Sequence, residues 1–253
     1  MLRQEIRKDV VEKVNEIQRR NNRPIRILDI GGGHFPFALA THIVDIISYE
    51  DFQRLLKERK YSEFGYWGAD ELNFSKNTWY SVDICKEKLP FEDKYFDFCV
   101  CCSTLEDLPN PFKVIEEISR VSKAGYIEVP SKEIECTLGV EGGVLTRFYT
   151  GYYHHLWLFT KKKEGLYIEP KYSFIAASKC FCFKRKYVKI WKKNKMDIVS
   201  YFWENKINLL TPEVSVFGDL KEEQMKYIRE KSGYNLPMLL FDLYRKFKKV
   251  ICK

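Results

Sequence analysis

The alternation of apolar and polar positions divides the chain into short buried strands and amphipathic helices. Ile6, Val10, Val14 and Ile17 share one stripe of a helix predicted over Leu2–Arg20, which Asn21, Asn22 and Pro24 end. Ile25-Arg26-Ile27-Leu28 is too short for a helix and predicts one buried strand. Further strands are predicted over Thr41–Asp45, Tyr80–Ile84, Tyr95–Cys101 and Gly125–Ser131, and a late one over Met196–Trp203. A short helix fits His34–Ala40, another Asp51–Lys60, and a third Val114–Val121. Strands separated by helix-sized segments imply βαβ units and a parallel sheet. Tyr49–Trp79 is rich in aromatic residues without a clear period, and both a cover over a ligand site and a packed aromatic cluster remain open.

Asp29-Ile30-Gly31-Gly32-Gly33 follows the first strand. Glycine permits the positive φ of a tight turn and removes the Cβ that keeps a ligand from the backbone. In open α/β sheets ligands bind beyond the carboxyl ends of the strands. A dinucleotide fingerprint fails here, because Pro36 stands where the third glycine belongs. Acidic-x-Gly-x-Gly is satisfied by Asp29, Gly31 and Gly33, with Gly32 between them. Asp45 ends the second strand, a little short of the ~20 positions at which an acid accepts ribose hydroxyls.

Asp83 at the third strand end, Leu89-Pro90-Phe91, the Phe96-Asp97 strand, Leu105-Glu106, Glu117-Ile118-x-Arg120-Val121 and Gly125-Tyr126-Ile127-x-Val129-Pro130 then follow in order. Over Arg26–Ser131 this succession closely resembles the methyltransferase-domain family called type 11, within the class I S-adenosylmethionine-dependent methyltransferases. The resemblance implies an α/β, Rossmann-like fold: a mostly parallel seven-stranded sheet flanked by helices, with an elaborated C-terminal half. It implies an enzyme with S-adenosyl-L-methionine as donor and S-adenosyl-L-homocysteine as product. By the same resemblance the turn Asp29, Gly31, Gly32 and Gly33 and the acid Asp45 hold the donor. Asp83 and Ile84 frame its adenine, and Cys102 and Ser103 lie beside its methionine moiety. Many relatives carry Leu-Glu-His after the fourth strand, where this chain has Leu105-Glu106-Asp107.

A single domain is expected over 1–253: an N-terminal helix to residue 22, a donor-binding half over 23–131, and an acceptor-side half over 132–253. In the last of these, Gly151-Tyr152-Tyr153-His154-His155-Leu156-Trp157 is similar to a Gly-His-x-His-His-x-Trp segment of bacterial members associated with surface-polysaccharide and capsule assembly. Tyr152 replaces its first histidine. His154 and His155 are the candidate proton acceptors, since imidazole titrates near working pH. On a strand they would face opposite ways. Packing against Trp157 is the structural alternative.

Composition narrows the acceptor. The net charge of +8 favours a small anionic acceptor, phosphorylated or nucleotide-linked. O-methylation of a capsule phosphoramidate precursor is one specific expectation. Eight cysteines without a disulfide framework, no signal peptide and no apolar run of membrane-spanning length point to a reduced, cytoplasmic protein. No metal site is expected, because Cys180-x-Cys182 lacks a second pair. DNA is not an expected partner either, as the Asn/Asp-Pro-Pro-aromatic motif is missing after the fourth strand. Leu239, Leu243, Phe247 and Val250, opposite Arg245, Lys246, Lys248 and Lys249, predict a basic amphipathic helix that docks on the core or lies on a membrane surface. The competing functional class is a nucleoside-binding protein that transfers nothing, or an RNA- or membrane-associated methyltransferase.

Overall fold

A computed structural model of the protein describes residues 2–58, 66–143, 146–213, 217–233, 237–240 and 243–244. Leu2–Arg20 forms α1 and buries Val10 and Val14. Two compact units follow from the packing: Met1–Val129 with Lys161–Leu166 and Val199–Leu209, and Pro130–Thr160 with Tyr167–Ile198 and Leu210–Lys253.

The first unit is built on β1 (Ile27–Ile30), β2 (His42–Asp45), β3 (Trp79–Ser81), β4 (Phe98–Cys102), β5 (Ala124–Pro130) and a late strand over Ile198–Glu204. They form one sheet in the order β3-β2-β1-β4-β5 followed by the late strand, six strands among the described residues. The pairs β1/β2, β1/β4, β2/β3 and β4/β5 are parallel. Strand order reverses between β1 and β4, the switch point at which open α/β sheets take ligands. Asp29 lies within β1, so the turn proper begins at Gly31.

Two helices join these strands. Tyr49–Lys57 (α2) starts at Ser48, whose side chain accepts from the Asp51 N–H, and it buries Phe52. Pro111–Val121 (α3) starts at Asn110 and buries Val114, Ile115, Ile118 and Val121. Its polar face explains why the motifs before and after β4 occur together. Arg120 donates to Leu89 O at 3.1 Å and Phe91 O at 2.7 Å, and Glu117 accepts from the Leu89 N–H at 2.9 Å.

The connection from β1 to β2 departs from expectation, because no helix forms in His34–Ala40. Phe37 pairs instead with Trp67 in a parallel bridge. The Ala38 N–H donates to Trp67 O at 2.7 Å, Trp67 to Pro36 O at 3.1 Å, and Asn73 to Ala38 O at 2.9 Å. These bonds satisfy backbone groups that a helix would have satisfied internally. Phe37 packs tilted on Trp67 with ring centroids 4.2 Å apart, while Phe52 and Trp79 stack at 4.8 Å beside Phe74. Trp67, Phe74 and Trp79 of the aromatic stretch are therefore core, Tyr66 is half-buried outside that cluster, and Tyr61 and Phe64 lie outside the described residues.

The second unit carries Lys132–Glu135 (α4), β6 (Trp157–Lys161), β7 (Leu166–Pro170), Ser173–Ala177 (α5) and Tyr187–Lys193 (α6). After β8 (Ile198–Glu204) come β9 (Leu209–Leu210) and Phe217–Ser232 (α7). β6, β7 and β9 make a three-stranded sheet. Ile134, Leu158, Phe183, Trp191, Met225 and Ile228 form this unit's own core. Near the C-terminus the buried residue is Met238, whereas Leu239 and Leu243 of the expected apolar stripe are half-exposed. Phe247, Val250 and the basic residues from Arg245 onward lie outside the described residues. Among the described residues no helix is long and apolar enough to cross a membrane.

Candidate donor and acceptor sites

The glycine turn is tight because the side chains of Thr104, Asp29, Asp45 and Ile47 close on it. Gly31 has φ +75°, and a Cβ there would sit 2.2 Å from Thr104 Oγ1. At Gly32 it would sit 2.2 Å from Asp29 Oδ2, and at Gly33 2.7 Å from Asp45 Cγ. The glycines therefore admit the protein's own side chains, which is a different reason from the ligand approach expected of them. Asp29 is buried and accepts the Phe37 N–H at 2.7 Å. Burial pushes its carboxyl up to about 7, the Phe37 N–H offsets part of the rise, and the Asp45 charge adds to it.

Asp45 ends β2 and fastens the turn to it. One carboxylate oxygen accepts from the Gly33 N–H at 2.8 Å and the other from Ile47 at 3.0 Å. Each oxygen has two acceptor positions, so both can still take a ribose hydroxyl. Next to it Ile46 is 70% exposed, an uncovered apolar surface beside an acid. Asp83 lies just past β3, where its carboxylate accepts the Cys85 N–H and pairs with exposed Lys86 at 2.7 Å. The Lys86 hydrogen bond holds its carboxyl below the usual range. Such a surface pair is weak and open to exchange for a ligand. Ile84 is buried behind it. At the end of β4, exposed Ser103 adopts φ +52°, and its N–H is held by Glu128 O at 2.8 Å. Burial raises the Cys102 thiol well above its ordinary value, so it is inert as a nucleophile.

This edge suits a nucleoside-bearing donor. It offers acceptors for hydroxyl and amino groups, exposed apolar surface beside them, and a strained exposed residue at the switch point. A cleft of about 660 Å³ lies elsewhere, against α1, Phe98 and Gly125 at the amino ends of β4 and β5. Arg7 went unnoticed in the sequence, whereas Glu128, like Asp107, is a fallback proton acceptor there. Arg7 donates to Glu128 at 2.9 Å, both buried, and Glu128 also accepts from the Tyr126 hydroxyl at 3.0 Å. Arg7 lies over the Trp67 ring at 4.7 Å.

In the second unit, Gly151–Leu156 is a turn rather than a strand, so the two histidines do not face opposite ways. Their rings meet edge to face at 4.5 Å. His154 is exposed, with its Nδ1 4.0 Å from Glu141 Oε1. His155 is buried against Tyr152, ring centroids 4.7 Å apart, and its Nδ1 is 2.7 Å from Glu135 Oε1. Lys171 donates to Glu135 Oε2 and to Tyr152 O, each at 2.6 Å. Two elements bring these groups together. Ser131 caps α4 and sets Glu135 at its end. The β6–β7 hairpin pairs Leu156 O with the Lys171 N–H at 2.8 Å.

Comparison with known proteins agrees with this geometry. A family model described as a methyltransferase domain matches residues 28–127. These residues are similar to a methyltransferase domain, and the parallel sheet with its β1/β4 switch point is Rossmann-like. No curated protein matches the chain. Solved structures that resemble it include a SAM-dependent methyltransferase from Aquifex aeolicus, with 19% identity, 49% of this chain and 65% of that one covered, and TM-score 0.28. Another is an S-adenosylmethionine-dependent methyltransferase from Mesorhizobium loti, with 13% identity, 54% and 59% covered, and TM-score 0.31. An arsenic(III) S-adenosylmethionine methyltransferase from Chlamydomonas reinhardtii shares 14% identity over 42% and 39%, with TM-score 0.29. The chain spans about half the length of the solved structures it matches. Likenesses at this level carry no argument about chemistry.

Proposed function

We propose that the chain is an S-adenosylmethionine-dependent methyltransferase acting on a hydroxyl of a small anionic acceptor, phosphorylated or nucleotide-linked. The carrying observation is the open carboxyl edge at the β1/β4 switch point, where Asp45 retains free acceptor positions within a matched methyltransferase domain. In this reading Gly31, Gly32 and Gly33 shape the turn under the donor. Asp45 receives the ribose hydroxyls, Asp83 and Ile84 the adenine, and Cys102 and Ser103 line the methionine end. When bound, the donor supplies a sulfonium-activated methyl group and leaves as S-adenosylhomocysteine. Such a transfer needs positioning more than elaborate acid–base machinery. His155 takes the acceptor's hydroxyl proton, and exposed His154 is the second candidate. The charge of +8 and the 151–157 resemblance support an acceptor in bacterial surface-polysaccharide or capsule synthesis, with a phosphoramidate precursor as the specific case.

Calorimetry with S-adenosylmethionine and S-adenosylhomocysteine tests the donor site. A charge-assisted hydrogen bond contributes roughly 1.5–3 kcal/mol, so Asp45→Ala should weaken the donor about 10–100-fold. Unchanged affinity in that variant overturns the donor assignment. A screen with labelled donor against UDP-sugars and sugar 1-phosphates then tests transfer; a protein that binds donor and labels nothing is the non-catalytic alternative.

A further inference from the structure

We propose that the exposed surface around Arg147, Arg185, Tyr149 and Tyr153 holds a nucleoside diphosphate, so that the acceptor is nucleotide-linked rather than a plain sugar phosphate. The inference rests on the reading of an anionic acceptor and narrows it. Three backbone segments of the second unit build the surface. Thr137 pairs with Phe183 in a parallel bridge, and Leu138 with Thr150 in an antiparallel one. The Leu138 N–H donates to Phe183 O at 3.0 Å, and the Gly139 N–H to Tyr149 O at 2.9 Å. The middle segment thus has one arginine-bearing neighbour on each side. Gly139 lets the two neighbours approach each other. It has φ +67°, and a Cβ there would lie 3.2 Å from Arg185 Cδ and 3.3 Å from Arg147 Cα.

Both arginines are exposed, and among the described residues neither guanidinium meets a carboxylate. Glu141, the acid of this loop, is turned to the Tyr153 N–H at 3.2 Å and lies 4.0 Å from His154 Nδ1. Arg147 lies over the Phe148 ring at 4.6 Å. Phe148, Tyr149 and Tyr153 are 66%, 53% and 69% exposed. Single rings scattered over a surface are ordinary, but a cluster of them rimmed by charge marks a ligand site. The two parts of this surface match the two parts of one ligand class. An arginine fork meets phosphate oxygens bidentately and stays charged, so two forks suit a diphosphate. An aromatic face stacks on a planar base. A sugar 1-phosphate would use the forks and leave the rings idle. Because both arginines stand against one glycine, the spacing suits a small ligand better than a polymer.

Calorimetry on the full-length protein reads the two parts separately. The probes are UDP, CDP, ADP and GDP, since stacking alone does not choose the base, together with the matching monophosphates and inorganic pyrophosphate. One diphosphate or more should bind at least about 10-fold tighter than its monophosphate or pyrophosphate. Arg147→Ala and Arg185→Ala should each weaken that nucleotide about 10-fold. Tyr149→Ala should weaken it by a similar factor, about 10-fold, and leave pyrophosphate unchanged. S-adenosylhomocysteine should bind all three variants as it binds the wild type. The proposal is overturned if none of the four diphosphates binds at millimolar concentration while S-adenosylhomocysteine does. It is equally overturned if the best of them keeps its affinity when both arginines are replaced. Phosphatidylglycerol vesicles or a uridine oligonucleotide bound through these arginines, with no diphosphate bound, would reassign the surface to a membrane or an RNA. Failure of S-adenosylhomocysteine to bind the wild type would instead remove the methyltransferase reading on which the inference rests.

Discussion

The two edges of the first unit's sheet each bury an aspartate, and they treat it in opposite ways. Asp97 stands before β4 at the amino edge, Asp29 near the end of β1 at the carboxyl edge. Asp97 accepts from Arg23 at 2.6 and 2.9 Å, from Lys123 at 2.9 Å and from the Arg26 N–H at 3.0 Å. Burial alone raises its pKa, but these donors outweigh it and hold the carboxyl well below the usual range. Asp29 is buried as deeply, has the Phe37 N–H as its hydrogen-bond donor, and is pushed up to about 7. The amino edge is saturated by the protein's own groups. At the carboxyl edge, where ligands bind in this architecture, charge and backbone strain are left for function to use.

The largest effect should come from the saturated edge. Asp97→Ala removes the acceptor of four hydrogen bonds and leaves Arg23 and Lys123 facing each other. Both cations keep nearly half of their side chains in water, which screens them. The expected loss is about 3 kcal/mol of stability, at the lower end for a broken buried pair. Urea denaturation measures it, and donor affinity in the folded variant should stay within about two-fold. A donor defect as large as that of Asp45→Ala would erase the distinction between the edges.

The pH dependence of stability sharpens the contrast, because the two groups act with opposite sign. The stability that Asp97 contributes is present above its unfolded value, near 4, and is lost as pH falls through its depressed folded value. Asp29 holds its proton in the folded state between pH ~4 and ~7 while the unfolded chain has released it. Stability should therefore fall as pH rises through that window and level off above it. Relative to the wild type, Asp29→Asn should flatten this slope and gain about 2 kcal/mol between pH 5 and 7. Parallel curves for the two proteins would mean that Asp29 is already ionised at pH 5.

Much of the first unit was legible because its signals are local. α1, β2, β4 and β5 fall where apolar periodicity puts them, and the late strand found over Ile198–Glu204 overlaps Met196–Trp203. The Leu-Pro-Phe and Glu-x-x-x-Arg pieces mark a fold because Arg120 and Glu117 grip that turn. What escaped is non-local. Nothing in His34–Ala40 says that Trp67 and Asn73 will satisfy its backbone in place of a helix. Arg7 and Glu128 are 121 positions apart. Glu135, His155 and Lys171 meet only once α4 and the β6–β7 hairpin have formed, and no spacing announces them.

The smallest effect tests whether the carboxyl edge carries strain. Ser103 and Lys94 flank β4, and both adopt left-handed backbone, with φ +52° and +56°. Lys94 is anchored there by its ammonium, which donates to Ser119 O, Ser122 O and Asn205 O at 2.6–3.0 Å. Ser103 is exposed, and what holds its backbone is the bond from its N–H to Glu128 O, which a glycine keeps. Left-handed geometry costs a residue with a Cβ roughly 1–2 kcal/mol, while glycine gives back about 0.4–1 kcal/mol through the entropy of the unfolded chain. Ser103→Gly should thus be neutral to about 1 kcal/mol more stable. Lys94→Gly should be destabilising, since it also deletes three hydrogen bonds. If the serine at the switch point is retained for its side chain, donor affinity should drop in Ser103→Gly even as stability rises. Destabilisation by more than about 1 kcal/mol in urea titration would show that the serine side chain supports the fold and that this end of β4 is not strained.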